Sequence, residues 1–128
     1  MTKETKLWLT YAHENIEAAD VLLESLLYNP CLQNIQQSIE KSLKAIFIEK
    51  KLKLIKSHSI FELVTTLSEN SIKIEVSEDE CDLLDSIYLP SKYPIGSVLP
   101  DFEPDGQICR DNLAVAKRIY TEAFELLK

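Results

Sequence analysis

Glycine is scarce in this chain, with two in 128 residues. Sheets and hairpins use glycine in their tight turns, so the scarcity favours an all-helical protein. Cysteine is also sparse. Cys31, Cys81 and Cys109 are odd in number and far apart, with no C-x-x-C pair. That pattern excludes a disulfide framework and a zinc knuckle, leaving buried free thiols. No apolar run approaches the roughly 20 residues that span a bilayer. The first twenty residues are polar and amphipathic, without the apolar core of a signal peptide, so the chain is expected to be cytoplasmic. Only two histidines, His13 and His58, are present. Gly-rich phosphate loops, G-x-S-x-G and H-E-x-x-H are all missing.

What is present is an ordinary globular composition, 45% hydrophobic and 27% charged, in a length suited to one domain covering residues 1–128. The net charge of −7 argues against broad nucleic-acid binding, which needs a cationic face. The charge is unevenly spread. From Lys41 to His58 six lysines accompany a single acid, Glu49, whereas from Glu69 to Asp105 ten acids accompany only Lys73 and Lys92. A solvated, lysine-rich helix end explains the first stretch on its own. A phosphate site or an acidic partner is the alternative.

Apolar spacing predicts five helices in an up-down bundle. The first runs from about Lys3 to Leu27 on a stripe of Trp8, Ala12, Ile16, Ala19, Leu23 and Leu26, and breaks at Asn29-Pro30. The second, to about Lys51, buries Leu32, Ile35, Ile39, Leu43 and Ile46. "KLKLIKSHS" is a connector. Ser59 and Glu62 then form a capping box for helix three, whose face is Ile60, Leu63, Val64 and Leu67. "SIKIEV" alternates like a strand but lacks a partner, so it is expected to be a loop. Ser77 and Glu80 cap helix four, with Cys81, Leu84, Ile87 and Tyr88 inward. An irregular segment with four prolines follows from Leu89, and helix five runs from about Gln107 to Leu127.

The chemistry-bearing residues are few. His13 and Glu17, four apart on helix one, suit a surface ion pair. A di-metal bundle would need Glu-x-x-His units, and none occurs. Neither a metal nor a cofactor is called for. His58 precedes the start of helix three, where it can cap that helix or join an anion site of helix-end N–H groups. On helix two, "QQSIEKSLKAIF" sets Gln33, Gln37, Glu40 and Lys44 in a polar strip beside the core stripe, with Lys41 one turn from Gln37. On a helix surface a Glu40–Lys44 pair contributes about 0.3–0.5 kcal/mol. The strip suits a polar or phosphorylated ligand, and it suits water equally.

The order of the pieces adds a resemblance. A first helix with Trp8, Ala12, Ala18 and Ala19 leads to Q-x-x-x-E-K-x-L-K-A (Gln36, Glu40, Lys41, Leu43, Lys44, Ala45). "SHSIFEL" with His58 follows, then "YLPSKYP" from Tyr88 to Pro94. From about Trp8 to Leu127 the chain resembles the HEPN domain family of small helical bundles. The resemblance implies a homodimer, nucleotide binding, and a minimal nucleotidyltransferase as partner, often within toxin–antitoxin or defence systems. Another branch of that family comprises metal-independent ribonucleases with an Arg-x(4–6)-His motif near the last helix. Here neither Arg110 nor Arg118 is followed by a histidine at that distance, and no histidine lies beyond His58. No catalytic residue is therefore carried over. The expected ligand-binding set is Gln37, Lys41, Lys44, His58, Lys92 and Tyr93, with lysines for phosphate and Tyr93 for stacking. Lys92 stands in "SKYP" where similar sequences often have arginine, and lysine lacks the bidentate fork that grips phosphate. The alternatives are a degenerate ribonuclease and a purely structural interaction module.

Overall fold

The computed structural model describes the backbone of residues 1–92 and 103–128 and the side chains of 1–86 and 103–128. Five helices follow in order: α1 (Lys3–Glu24), α2 (Tyr28–Glu49), α3 (Ile60–Glu69), α4 (Glu78–Lys92) and α5 (Gly106–Leu127). "SIKIEV" is a loop, and there is no strand among the described residues.

The starts of α1, α3, α4 and α5 are capped by chemistry written into the sequence, whereas α2 starts at Leu27 without a side-chain cap. Thr2 accepts from the Thr5 amide at α1, and Asp105 accepts from the Ile108 amide at α5. Ser77 and Glu80 form the reciprocal box at α4, at 2.9 and 3.0 Å. The Ser77 amide, and then Arg118, hold the Glu80 carboxyl below its ordinary range. At α3 only half of the expected box forms directly. Ser59 accepts from the Glu62 amide, while the Glu62 carboxylate reaches Ser57, whose hydroxyl receives the Ser59 amide.

The helix ends show how a chain poor in glycine stops a helix. α1, α2 and α3 all close by placing one residue in the left-handed region: Leu26 (φ 61), Lys51 (φ 56) and Ser71 (φ 64). In each case the next amide reaches back to a carbonyl of the last turn: Leu27 to Leu22, Leu52 to Phe47 and Ile72 to Leu67, all at 2.9 Å. α1 therefore stops at Glu24, earlier than the expected Leu27, because the turn is made at Leu26 and not at the proline. Asn29 and Pro30 lie in the first turn of α2, where proline's missing N–H has no helical partner to lose. A left-handed non-glycine residue is strained by about 1–2 kcal/mol. The double substitution Leu26→Gly, Ser71→Gly is thus expected to stabilise the protein by about 1–2 kcal/mol, after the greater flexibility of unfolded glycine is subtracted. A denaturant midpoint that falls would contradict it.

At its other end α4 runs through Leu89 and Pro90 to Lys92, further than expected. Proline near a helix C-terminus forfeits only one backbone bond there. The rest of the expected irregular segment, residues 93–102, lies outside the described residues.

Packing is organised around α2, which touches all four other helices. Thirteen of its 22 residues are buried, against five of 22 in α1. The expected stripe of Leu32, Ile35, Ile39, Leu43 and Ile46 is fully buried, joined by Ala45 and Phe47 from the next phase. Burial of Phe47 alone contributes about 2–3 kcal/mol. In α1 the inward line is Thr5, Leu9, Ala12, Ile16 and Ala19, so Leu9 faces the core and Trp8 sits at its edge. Leu26, expected inward, is 68% exposed because it forms the turn. α3 contributes Ile60, Leu63 and Leu67, and α4 contributes Cys81 and Leu84. The Ile87 and Tyr88 side chains lie outside the described residues. In α5, Cys109, Ala116, Ile119 and Ala123 are fully buried, while Tyr120 is half-buried. No helix among the described residues is long and apolar enough to cross a membrane.

Candidate functional site

The polar residues of α2 do not form a solvated strip. Most of α2 is enclosed by the other helices, and a line of half-buried positions that includes Gln33, Asn34, Gln37 and Lys41 reaches the surface, so the buried polar side chains along it must find partners inside the protein. Glu40 and Lys44 are buried, their side chains 7% and 11% exposed, and pair at 3.4 Å. Gln36, counted only as part of the family motif, is fully buried. It donates through Nε2 to the His58 carbonyl at 2.9 Å and accepts from Gln37 at 3.1 Å. Gln37 and Lys44, expected to face a ligand, are thus engaged within the protein. Lys41 is engaged too: its ammonium donates to Asn15 Oδ1 at 2.8 Å. Asn15 in turn donates to Asn34, and Asn34 to the Pro30 carbonyl, a polar chain joining α1 to α2. One buried polar atom is left over among the described residues, the Ser42 hydroxyl.

His58 departs from its expected role as a cap. Its Nδ1 lies 2.8 Å from Glu40 Oε1. A carboxylate only accepts, so Nδ1 carries the hydrogen and, in the neutral ring, Nε2 is the basic nitrogen. The start of α3 is instead served by Asp85, reaching across from α4. Its carboxylate accepts from the Ile60 amide at 2.7 Å, the Ser59 hydroxyl at 2.8 Å and the Phe61 amide at 3.3 Å. The helix-end N–H groups that might have held a phosphate therefore already hold an anion of the protein's own. Sequence spacing could not show this, because Asp85 is 25 residues from Ile60.

The lysine-rich connector between α2 and α3 behaves differently. Leu52 and Ile55 tuck against the core, while Lys50, Lys51, Lys53 and Lys56 are exposed. None of these four has a carboxylate within ion-pair distance among the described residues. By contrast, Lys117, Arg118 and Lys128 are paired with Asp20, Glu80 and Glu125. The connector ends at His58, whose ring is 62% exposed. Three ammonium groups without a charged partner, a fourth (Lys50) that acts on the neighbouring Glu49 carboxylate, and an oriented imidazole therefore share one short segment.

Other chemistry is weakly represented. His13 and Glu17 form the expected surface pair at 2.8 Å. Burial pushes the Cys31 thiol up to about 12 and the Cys81 thiol up to about 11, which denies both a reactive thiolate near neutral pH. No three metal-ligating side chains converge among the described residues. The Lys92 side chain and Tyr93 lie outside the described residues.

The whole arrangement has structural counterparts of similar size. TT1696 from Thermus thermophilus superposes with a TM-score of 0.77 at 24% identity, covering 97% of this chain and 98% of that one. ST0689, an archaeal HEPN homologue, gives 0.75 at 22% identity over the full length of both chains. At these identities the two structures speak for the fold. No curated protein matches the sequence. The model of the HEPN domain matches residues 5–126, nearly the whole chain, and the protein belongs to the HEPN domain family.

Proposed function

We propose that this HEPN protein is a non-catalytic binding component that takes a phosphate-bearing ligand, a nucleotide, at the connector between α2 and α3. In this reading it acts beside a minimal nucleotidyltransferase, in a toxin–antitoxin or defence setting. The observation that supports it is the absence of any ion pair to Lys51, Lys53 and Lys56 in a chain whose acids outnumber its bases, 21 to 14. Each such ammonium group adds attraction for phosphate without first having to break an internal pair. His58, held by Glu40, adds a polar ring at the end of the run. Gln37 and Lys44 serve the site indirectly, by fixing the helix from which the connector springs.

Titration calorimetry with ATP and GTP, with and without magnesium, checks this. Wild-type protein is expected to bind, and the double variant Lys53→Glu, Lys56→Glu to bind roughly tenfold more weakly with its fold unchanged. Absence of heat at about 1 mM nucleotide sinks the ligand. A second reading, cleavage of RNA, has one observation in its favour: the Glu40–His58 dyad orients a basic nitrogen. It lacks the family's arginine–histidine motif. RNA left intact by the purified protein would remove it.

A further inference from the structure

Away from the connector, α3, the loop after it and the start of α4 enclose a groove of about 280 Å³. Phe61, Val64 and Val76 give it an apolar lining, with the buried Cys81 among them. Phe61 is 42% exposed. Glu69 and Glu78 line the groove as well. Neither of these carboxylates has an ion pair among the described residues. The two ends of the groove differ. Phe61 stands where Asp85 ties α3 to α4, whereas Glu69 and Glu78 flank the loop between those helices. Glu69 lies eight residues beyond Phe61, about 12 Å along the helix. The surroundings are anionic, since between residues 57 and 91 eight acids accompany Lys73 alone. That field is felt at Cys81, whose thiol is pushed up first by burial and then by the carboxylates of Asp85, Asp82, Glu80 and Glu78.

We propose that this groove docks a cationic amphipathic segment of a partner protein, with an apolar side chain seated by Phe61 and a lysine or arginine at Glu69 and Glu78. Size and charge decide the occupant. Sites for small molecules usually enclose roughly 300–1,000 Å³. This groove falls below that range and suits one or two side chains of a larger partner. Its unpaired carboxylates repel nucleic acid and phosphate. They attract a cation without first having to break an internal pair. The apolar lining adds a second requirement, because a plain polycation has nothing to bury against Phe61, Val64 and Val76. A segment that carries both kinds of side chain satisfies both ends at once. The groove differs in sign from the lysine connector, and its occupant does not rest on the nucleotide reading.

A short amphipathic peptide of leucine and lysine, leucines on one face, is the probe. Its binding is followed by fluorescence anisotropy and by amide chemical shifts of the full chain. The wild-type shifts are expected to move at Phe61, Val64, Glu69, Val76 and Glu78, and not on the connector or α1. Phe61→Ser leaves the net charge unchanged and is expected to weaken binding roughly tenfold. Glu69→Gln with Glu78→Gln is expected to weaken it roughly fivefold and to flatten its salt dependence. Removing the same charge elsewhere, at the exposed Glu14 and Glu24 of α1 by Glu14→Gln with Glu24→Gln, is expected to change affinity by less than about twofold. A peptide with serine in place of every leucine, at the same charge, is expected to bind at least about tenfold more weakly. Equal binding of that peptide overturns the proposal, as attraction to net charge alone. So do shifts centred outside the groove, or an affinity that Phe61→Ser leaves intact. Self-association that is lost in Phe61→Ser, measured by sedimentation equilibrium, would assign the groove to a second copy and overturn it too.

Discussion

Lys44→Met is expected to destabilise the protein by about 3–5 kcal/mol, the cost of leaving a buried carboxylate without its partner. The same pair on a solvated helix face would cost about 0.3–0.5 kcal/mol to break, so the magnitude separates the two pictures clearly. Glu40 keeps the His58 contact at 2.8 Å after the substitution, which should hold the loss toward the lower end. Replacing both charges, Glu40→Met with Lys44→Met, is expected to recover much of the stability. The double variant removes desolvated charge from the core without creating an orphan. Urea unfolding of the three variants measures this, with an unchanged denaturant slope showing that stability alone has moved. A Lys44→Met cost below about 1 kcal/mol would show that water reaches the pair.

Asp85→Ala is the second large effect, expected at about 2–3 kcal/mol. It removes three hydrogen bonds made by one carboxylate, two of them to amides at the start of α3 that have no intrahelical partner. Ser59 still accepts from the Glu62 amide, so the helix retains one cap. The loss should be local. α3 is the shortest helix, at ten residues, and Asp85 ties it to α4. Hydrogen exchange is expected to quicken at Ile60 and Phe61 while the centre of α2 stays protected to the global limit. Uniform loss of protection in all helices would contradict that assignment.

These two residues mark where sequence reading stopped. A capping box joins groups three residues apart, so Ser77 and Glu80 could be read directly, and both bonds form. Asp85 acts across 25 residues, and nothing local distinguishes it from the other acids that open α4. The ends of α1, α2 and α3 were legible only approximately. Their stop signal is a left-handed leucine, lysine or serine, residue types that carry no such preference.

The apolar stripes were sufficient to specify five helices and the all-α class. Periodicity reports which positions need burial, and α2's expected stripe is buried throughout. The missing Arg-x(4–6)-His motif likewise settled, by residue order alone, that the family's ribonuclease signature is not carried. Tertiary structure decided the fate of the polar groups. Spacing along one helix assigns a side to a residue but not what stands opposite that side. α2 is surrounded, so Gln36, Glu40 and Lys44 became internal ties. Four exposed cations stand on the connector, where Leu52 and Ile55 fasten the chain and its lysines face water.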